Sequence, residues 1–191
     1  GWNIPGKQFN YQSNYGVFDG QGYLFADELL DGDTVTYEYY NFNNLLVTMT
    51  YMVISRDTEI TTPAGHFTGC MKVRIRESLS EADAADPVNR ESVENLCEFE
   101  CVYCPGVGLI SNTCSYMNSP ELNAEYGGSS VLTFYSIPVP SSHMIPMEEG
   151  NLFEYIHYDA VGKPLADKMA YRDIYRVDTV TSDGMICLSN Y

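Results

Sequence analysis

Positive charge is scarce in this chain. Ten Lys and Arg stand against 26 Asp and Glu, a formal net charge of −16. Such a surface repels phosphate backbones and anionic lipid headgroups, so nucleic acid is excluded as an expected partner and the acidity is read as solubility. No run of 18 or more apolar residues occurs, and no membrane-spanning segment is expected. The only histidines are His66, His143 and His157. They are scattered without i, i+4 spacing, and each reads as a loop or strand residue. Gly-x-Ser-x-Gly, His-Glu-x-x-His and phosphate-loop motifs are all missing. The glycine pair Gly106/Gly108 lacks the strand-to-helix setting such loops need. Nucleophilic hydrolysis and nucleotide binding therefore have no support; no catalytic residue is assigned and no cofactor or metal is expected.

What the chain does have is a globular composition, 45% hydrophobic and 19% charged. At 191 residues it can bury a core without staples. Sixteen Tyr and eight Phe, with many Val and Thr, favour strands over helices. The expected fold class is mostly β, a curved antiparallel sheet of half-barrel or sandwich-like form with an appended C-terminal β-meander.

The chain is organised around Cys97 to Tyr116, which holds four of the six cysteines. Strand-like alternation flanks Pro105-Gly106-Val107-Gly108, so the stretch reads as a β-hairpin whose turn is preset by Pro105 and tolerated by the two glycines. Residues 1–30 read as loops with one edge strand, and 31–136 as the main β unit. Within it, Thr34 to Tyr40 is a strand and Leu45 to Ile60 a long β-branched run. Pro63 and Gly65 make a turn, and Cys70 to Arg76 is the returning strand. There Met71, Val73 and Ile75 alternate with Lys72, Arg74 and Arg76, the period of a half-buried strand. Residues 79–95 read as a polar excursion with one helical turn, and 118–128 as a loop. Residues 137–149 are a Pro-rich connection, and 150–191 a three-strand meander too short to bury its own core, so it should join the same sheet. A faint echo links Gly32–Asn41 with Gly150–Asp159, each a glycine after acidic residues followed by Tyr-rich alternation.

Two segments together resemble a known family. Glu59-Ile-Thr-Thr-Pro-Ala-Gly-His-Phe-Thr-Gly-Cys-Met-Lys-Val73 and Tyr103-Cys-Pro-Gly-Val-Gly-Leu-Ile110 are similar to signatures of the TapB-like domains of unknown function in exported proteins of Bacteroidetes-type bacteria. Gly150 to Lys163 is similar to that family's opening segment. The resemblance implies a curved antiparallel architecture in the cell envelope, periplasmic or outer-surface, often behind a lipoprotein signal. With Gly1 in place of an initiator Met, export by a removed signal peptide is the expectation, with lipid anchoring open. The resemblance carries over no catalytic residue. Cys104 stands where the family has Ala, so no cysteine role is inherited.

The spacing Cys97-x3-Cys101-x2-Cys104-x9-Cys114 suggests zinc or iron–sulfur, but the second close pair is missing. On a strand, Cys97 and Cys101 lie about 13 Å apart on one face and Cys104 points to the other. Disulfide and free thiol remain open for all four, and mirror pairing puts Cys114 opposite Phe99. A redox Cys-Val-Tyr-Cys motif lacks the helix N-terminus that lowers a thiol pKa. Asp31-Gly-Asp33 is an incomplete calcium loop, and Glu98 with Glu100 reads as a wet strand face. Tyr155, Tyr158, Tyr171 and Tyr175 could stack on a sugar or line a lipid pocket, or simply stabilise the sheet as cross-strand pairs. The expected function is a non-enzymatic envelope module for a small apolar or carbohydrate ligand. The alternative is a structural or protein-interaction domain, whose partner would be an envelope protein.

Overall fold

The computed structural model describes residues 2–4, 7–9, 29–41, 43–138, 148–164, 172–180 and 185–190. In chain order the strands are β1 (Trp2–Ile4), β2 (Lys7–Phe9), β3 (Thr34–Tyr40), β4 (Leu46–Thr62), β5 (Gly65–Ser78), β6 (Cys97–Cys104), β7 (Gly108–Tyr116), β8 (Gly128–Ser136), β9 (Leu152–Asp159), β10 (Arg172–Val180) and β11 (Met185–Asn190). They form one sheet in the order β1-β2-β11-β10-β9-β8-β7-β6-β5-β4-β3. Neighbours are antiparallel except β11 and β2, which run parallel, and the sheet does not close. The meander strands β9 to β11 join the main unit through β8, where Leu132 pairs with Tyr155.

Alternation dictates which side is core. On β4, Val47, Met49, Tyr51 and Val53 are buried; on β5, Met71, Val73 and Ile75; on β6, Phe99, Cys101 and Tyr103. The opposite face of β5 carries Lys72, Arg74 and Arg76, which meet Glu98 and Glu100 of β6 across the ladder. Both carboxylates are thus paired on a solvated face, where such ion pairs add little. The sheet is curved. Phe67 of β5 and Tyr135 of β8 would lie roughly 14 Å apart in a flat sheet, yet their ring centroids are 6.0 Å apart. Register shifts along β4–β5 between Val53 and Ile60, with Gly69 at φ +64°, supply the local twist that bulges impose.

Among the described residues three short helices interrupt the strands: α1 (Glu81–Ala85), α2 (Arg90–Glu94) and α3 (Pro120–Tyr126), with a 3-10 turn at Pro87–Asn89. The polar excursion at 79–95 is therefore more ordered than a single turn. Ser80 caps α1 by accepting from the Asp83 N–H, and Asp86 caps the 3-10 turn at Val88. Buried Ser92 then ties α2 to the β3–β4 turn, accepting from Asn43 Nδ2 at 2.7 Å. The segment at 118–128, expected as loop, contains α3. Ser119 caps it at the Leu122 N–H, and Pro120 occupies the first turn, where its missing N–H costs nothing.

The echo between residues 32–41 and 150–159 is a structural repeat. Gly32 and Gly150 have φ of +87° and +88°. Each donates its N–H to a valine carbonyl on the next antiparallel strand, Val53 and Val177, and each valine N–H returns to the residue after the glycine, Asp33 and Asn151. Asp33 itself closes the turn at 31–33, its Oδ2 accepting from the Leu30 N–H at 2.8 Å.

Candidate functional site

Directly opposed residues share a face, so the ladder registers trace rows across the concave side. One row runs Val53, Val73, Cys101, Asn112, Ser130, His157 from β4 to β9. Its first three members are buried, whereas Asn112, Ser130 and His157 are half-buried. A second row runs Tyr51, Ile75, Phe99, Cys114, Gly128, Asp159, and it too opens to solvent from Cys114 onward. The concave face therefore has two halves. Over β4–β6 these rows are packed apolar core; over β7–β9 they are polar or small and half-buried, alongside Ile110, Leu132, Phe153 and Val177, which stay buried.

The open half is built around β9 and β10. His157 Nε2 and Asp173 Oδ2 lie 3.0 Å apart with side chains 13% and 18% exposed. The Tyr175 hydroxyl donates to the same Asp173 oxygen at 2.9 Å, and the Tyr155 hydroxyl donates to the Leu109 carbonyl at 2.9 Å. The rings of Tyr155 and Tyr175 meet edge-on at 6.0 Å, a favoured aromatic geometry. The result is a fixed carboxylate, an imidazole, a hydroxyl and an aromatic edge converging beside Ser130 and Asn112. Such groups offer donors, acceptors and a ring surface.

A second polar cluster lies at the other end of the face. Glu77 accepts from the Tyr39 hydroxyl at 2.8 Å and from the Cys97 backbone N–H at 2.9 Å. Burial holds its carboxyl above the ordinary value of 4.5 despite those two bonds, because a buried carboxylate loses hydration that two donors only partly replace. Burial and the Glu77 charge likewise push the Tyr39 phenol up. Cys97 opposes Tyr116 and Phe99 opposes Cys114, so Cys97 and Cys114 are diagonal neighbours on one face. The interaction between the two thiols raises the Cys97 pKa and lowers that of Cys114. Cys101 is buried, its thiol pushed up to about 12 by desolvation.

The hairpin turn stands as read, with Pro105 leading, Gly106 and Gly108 at positive φ, and the Val107 N–H closing onto the Cys104 carbonyl. Pro63 and Gly65 form the β4–β5 turn. The four hairpin cysteines separate. Cys104 forms a disulfide with Cys70, which stands opposite it on β5 with a Cα separation of 4.3 Å, while Cys97, Cys101 and Cys114 are free thiols. The bridge thus ties the hairpin to β5 instead of closing within it, and Cys70 is a bridging residue as well as a strand residue. The four tyrosines also separate. Tyr155 and Tyr175 share the concave face, strand alternation turns Tyr158 to the other side, and Tyr171 lies outside the described residues. Among the described residues no three His, Cys, Asp or Glu side chains are grouped to hold a metal ion, and no helix is long and apolar enough to cross a membrane.

Sequence reasoning missed Glu77, Tyr39, His157 and Asp173 as site residues. Their pairings depend on the β3–β4–β5 and β9–β10 registers; the available signal was His157 at an inward position of an aromatic strand. No family model, curated protein or solved structure matches the chain.

Proposed function

We propose that the protein is a non-enzymatic cell-envelope module that binds a small hydroxyl-rich ligand, of carbohydrate type, on the open half of its concave face. The observation that carries this reading is the convergence of Tyr155, Tyr175, Asp173 and His157 beside Ser130 and Asn112. Sugars are recognised by planar polar groups that fix hydroxyls and by aromatic rings that meet their C–H faces, and this surface offers both. A purely apolar ligand fits less well, because the apolar half of the face is occupied by the protein's own side chains. Placement in the envelope rests on the resemblance to TapB-like exported domains. The Cys70–Cys104 bridge supports it, since disulfides persist in oxidising compartments.

Native mass spectrometry of protein purified from a bacterial envelope tests this reading. A bound mass in the native spectrum that vanishes on denaturation, and that is lost in the Asp173→Ala/Tyr175→Ala double variant, is expected. A native mass equal to the polypeptide alone favours the second reading, a protein-interaction domain. That reading has its own observation: β3 ends the strand order and offers an edge for a partner strand, with Tyr40 and Leu46 exposed beside it.

A further inference from the structure

We propose that Cys114 and Cys97 form a thiol–disulfide exchange site for small disulfides, Cys114 as the attacking thiol and Cys97 as the resolving one. The site lies apart from the Tyr155, Tyr175 and Asp173 cluster and goes beyond the binding reading.

The two cysteines come from opposite strands of the central hairpin, on the same face and one diagonal apart. Their surroundings differ in the way exchange requires. Cys114 is half-buried, at the margin where the concave face opens; Cys97 is buried, its thiol donating to the Asn95 carbonyl at 3.4 Å. The neighbouring Cys97 thiol favours a deprotonated Cys114 sulfur, while burial and the Glu77 carboxylate oppose it. A reachable thiolate attacks, and a buried thiol held against it resolves. Cys101, also diagonal to Cys114, is fully buried with its thiol pushed up to about 12, so it is the wrong first nucleophile.

In the first step the Cys114 sulfur attacks one sulfur of R–S–S–R. A Cys114–S–S–R bond forms, the original S–S bond breaks, and R–S⁻ leaves and takes a proton. In the second, Cys97 gives up its proton and attacks the Cys114 sulfur, forming Cys97–Cys114 and releasing the second R–S⁻, which is protonated. The protein dithiol is oxidised by two electrons and the small disulfide is reduced to two thiols. Diagonal partners stand farther apart than directly opposed ones, so closing the bond needs a strand shift. Cys97 is the first residue of β6, where such a shift stays local.

The test uses the folded protein and excess oxidised glutathione, followed by alkylation and peptide mapping. Wild type should release two glutathiones per chain and carry a Cys97–Cys114 bond, and Cys101→Ser should behave the same. Cys97→Ser should release one and retain the other on Cys114, while Cys114→Ser should slow release by on the order of ten-fold or more. Circular dichroism on each variant confirms that the sheet is intact. No release by wild type, a first adduct on Cys97 or Cys101, or a stable Cys114 adduct in wild type equal to that in Cys97→Ser would each overturn the proposal.

Discussion

Glu77 is an acid kept away from water with two donors for company, Tyr39 and the Cys97 amide. Its pKa is raised by burial, so the folded state binds this proton more tightly than the unfolded chain does. The contribution of Glu77 to stability is then fullest below its unfolded value near 4.5 and declines as pH rises through the folded value, levelling above it. Glu77→Gln removes that decline. The stability of the variant relative to wild type should increase from pH 4 to pH 7 in urea titrations; a difference independent of pH would show that the carboxyl is not held neutral by burial. The cysteines make a second residue-scale case. Cys70 and Cys104 close a loop with a sequence separation of 34, for which chain entropy suggests roughly 3–4 kcal/mol. Cys70→Ser should lower the urea midpoint accordingly and abolish the effect of reductant on it. A reductant effect that persisted in the variant would place the stabilising bridge elsewhere.

At the scale of elements, the hairpin from Cys97 to Tyr116 was legible because period-2 alternation and a Pro-Gly turn are local signals. Even its register followed, with Cys114 opposite Phe99. The partner of Cys104 was not legible. It depends on Met71 meeting Tyr103 across β5–β6, a pairing separated by an excursion whose length does not fix register. The helix α3 was hidden among loop-forming residues, although Ser119-Pro120-Glu121 is a cap, a first-turn proline and an acidic first turn. Just after it, Gly128 sits between Cys114 and Asp159, and a Cβ there would overlap the Tyr158 carbonyl oxygen. Gly128→Ala should therefore destabilise by about 1–3 kcal/mol, since backbone cannot yield as a side chain can. Thermal unfolding measures it, and an unchanged midpoint would mean that β8 and β9 are not so closely apposed.

For the whole molecule, composition and alternation sufficed for a mostly β, antiparallel sheet with a C-terminal meander. The curvature, expected through the family resemblance, has a source that alternation does not reveal, the bulges between Val53 and Ile60 and Gly69, where alternation is locally broken. The division of the concave face follows from that curvature. Where β5 approaches β8 through Phe67 and Tyr135, apolar rows are sealed; beyond, from β7 to β10, the same rows continue as Asn112, Ser130 and His157 in partial contact with solvent. The tyrosines were visible in the sequence, but which of them face inward, and that Asp173 joins them, required the register of β9 with β10.

The most direct test of that division is saturation-transfer NMR on the folded protein with neutral oligosaccharides and, for comparison, a long-chain fatty acid. Saturable transfer to at least one sugar is expected, with affinity reduced about ten-fold or more by Tyr175→Ala, in line with the roughly 1–3 kcal/mol that aromatic stacking contributes elsewhere. Saturable binding of the fatty acid alone, or sugar binding indifferent to Tyr175→Ala, would contradict it.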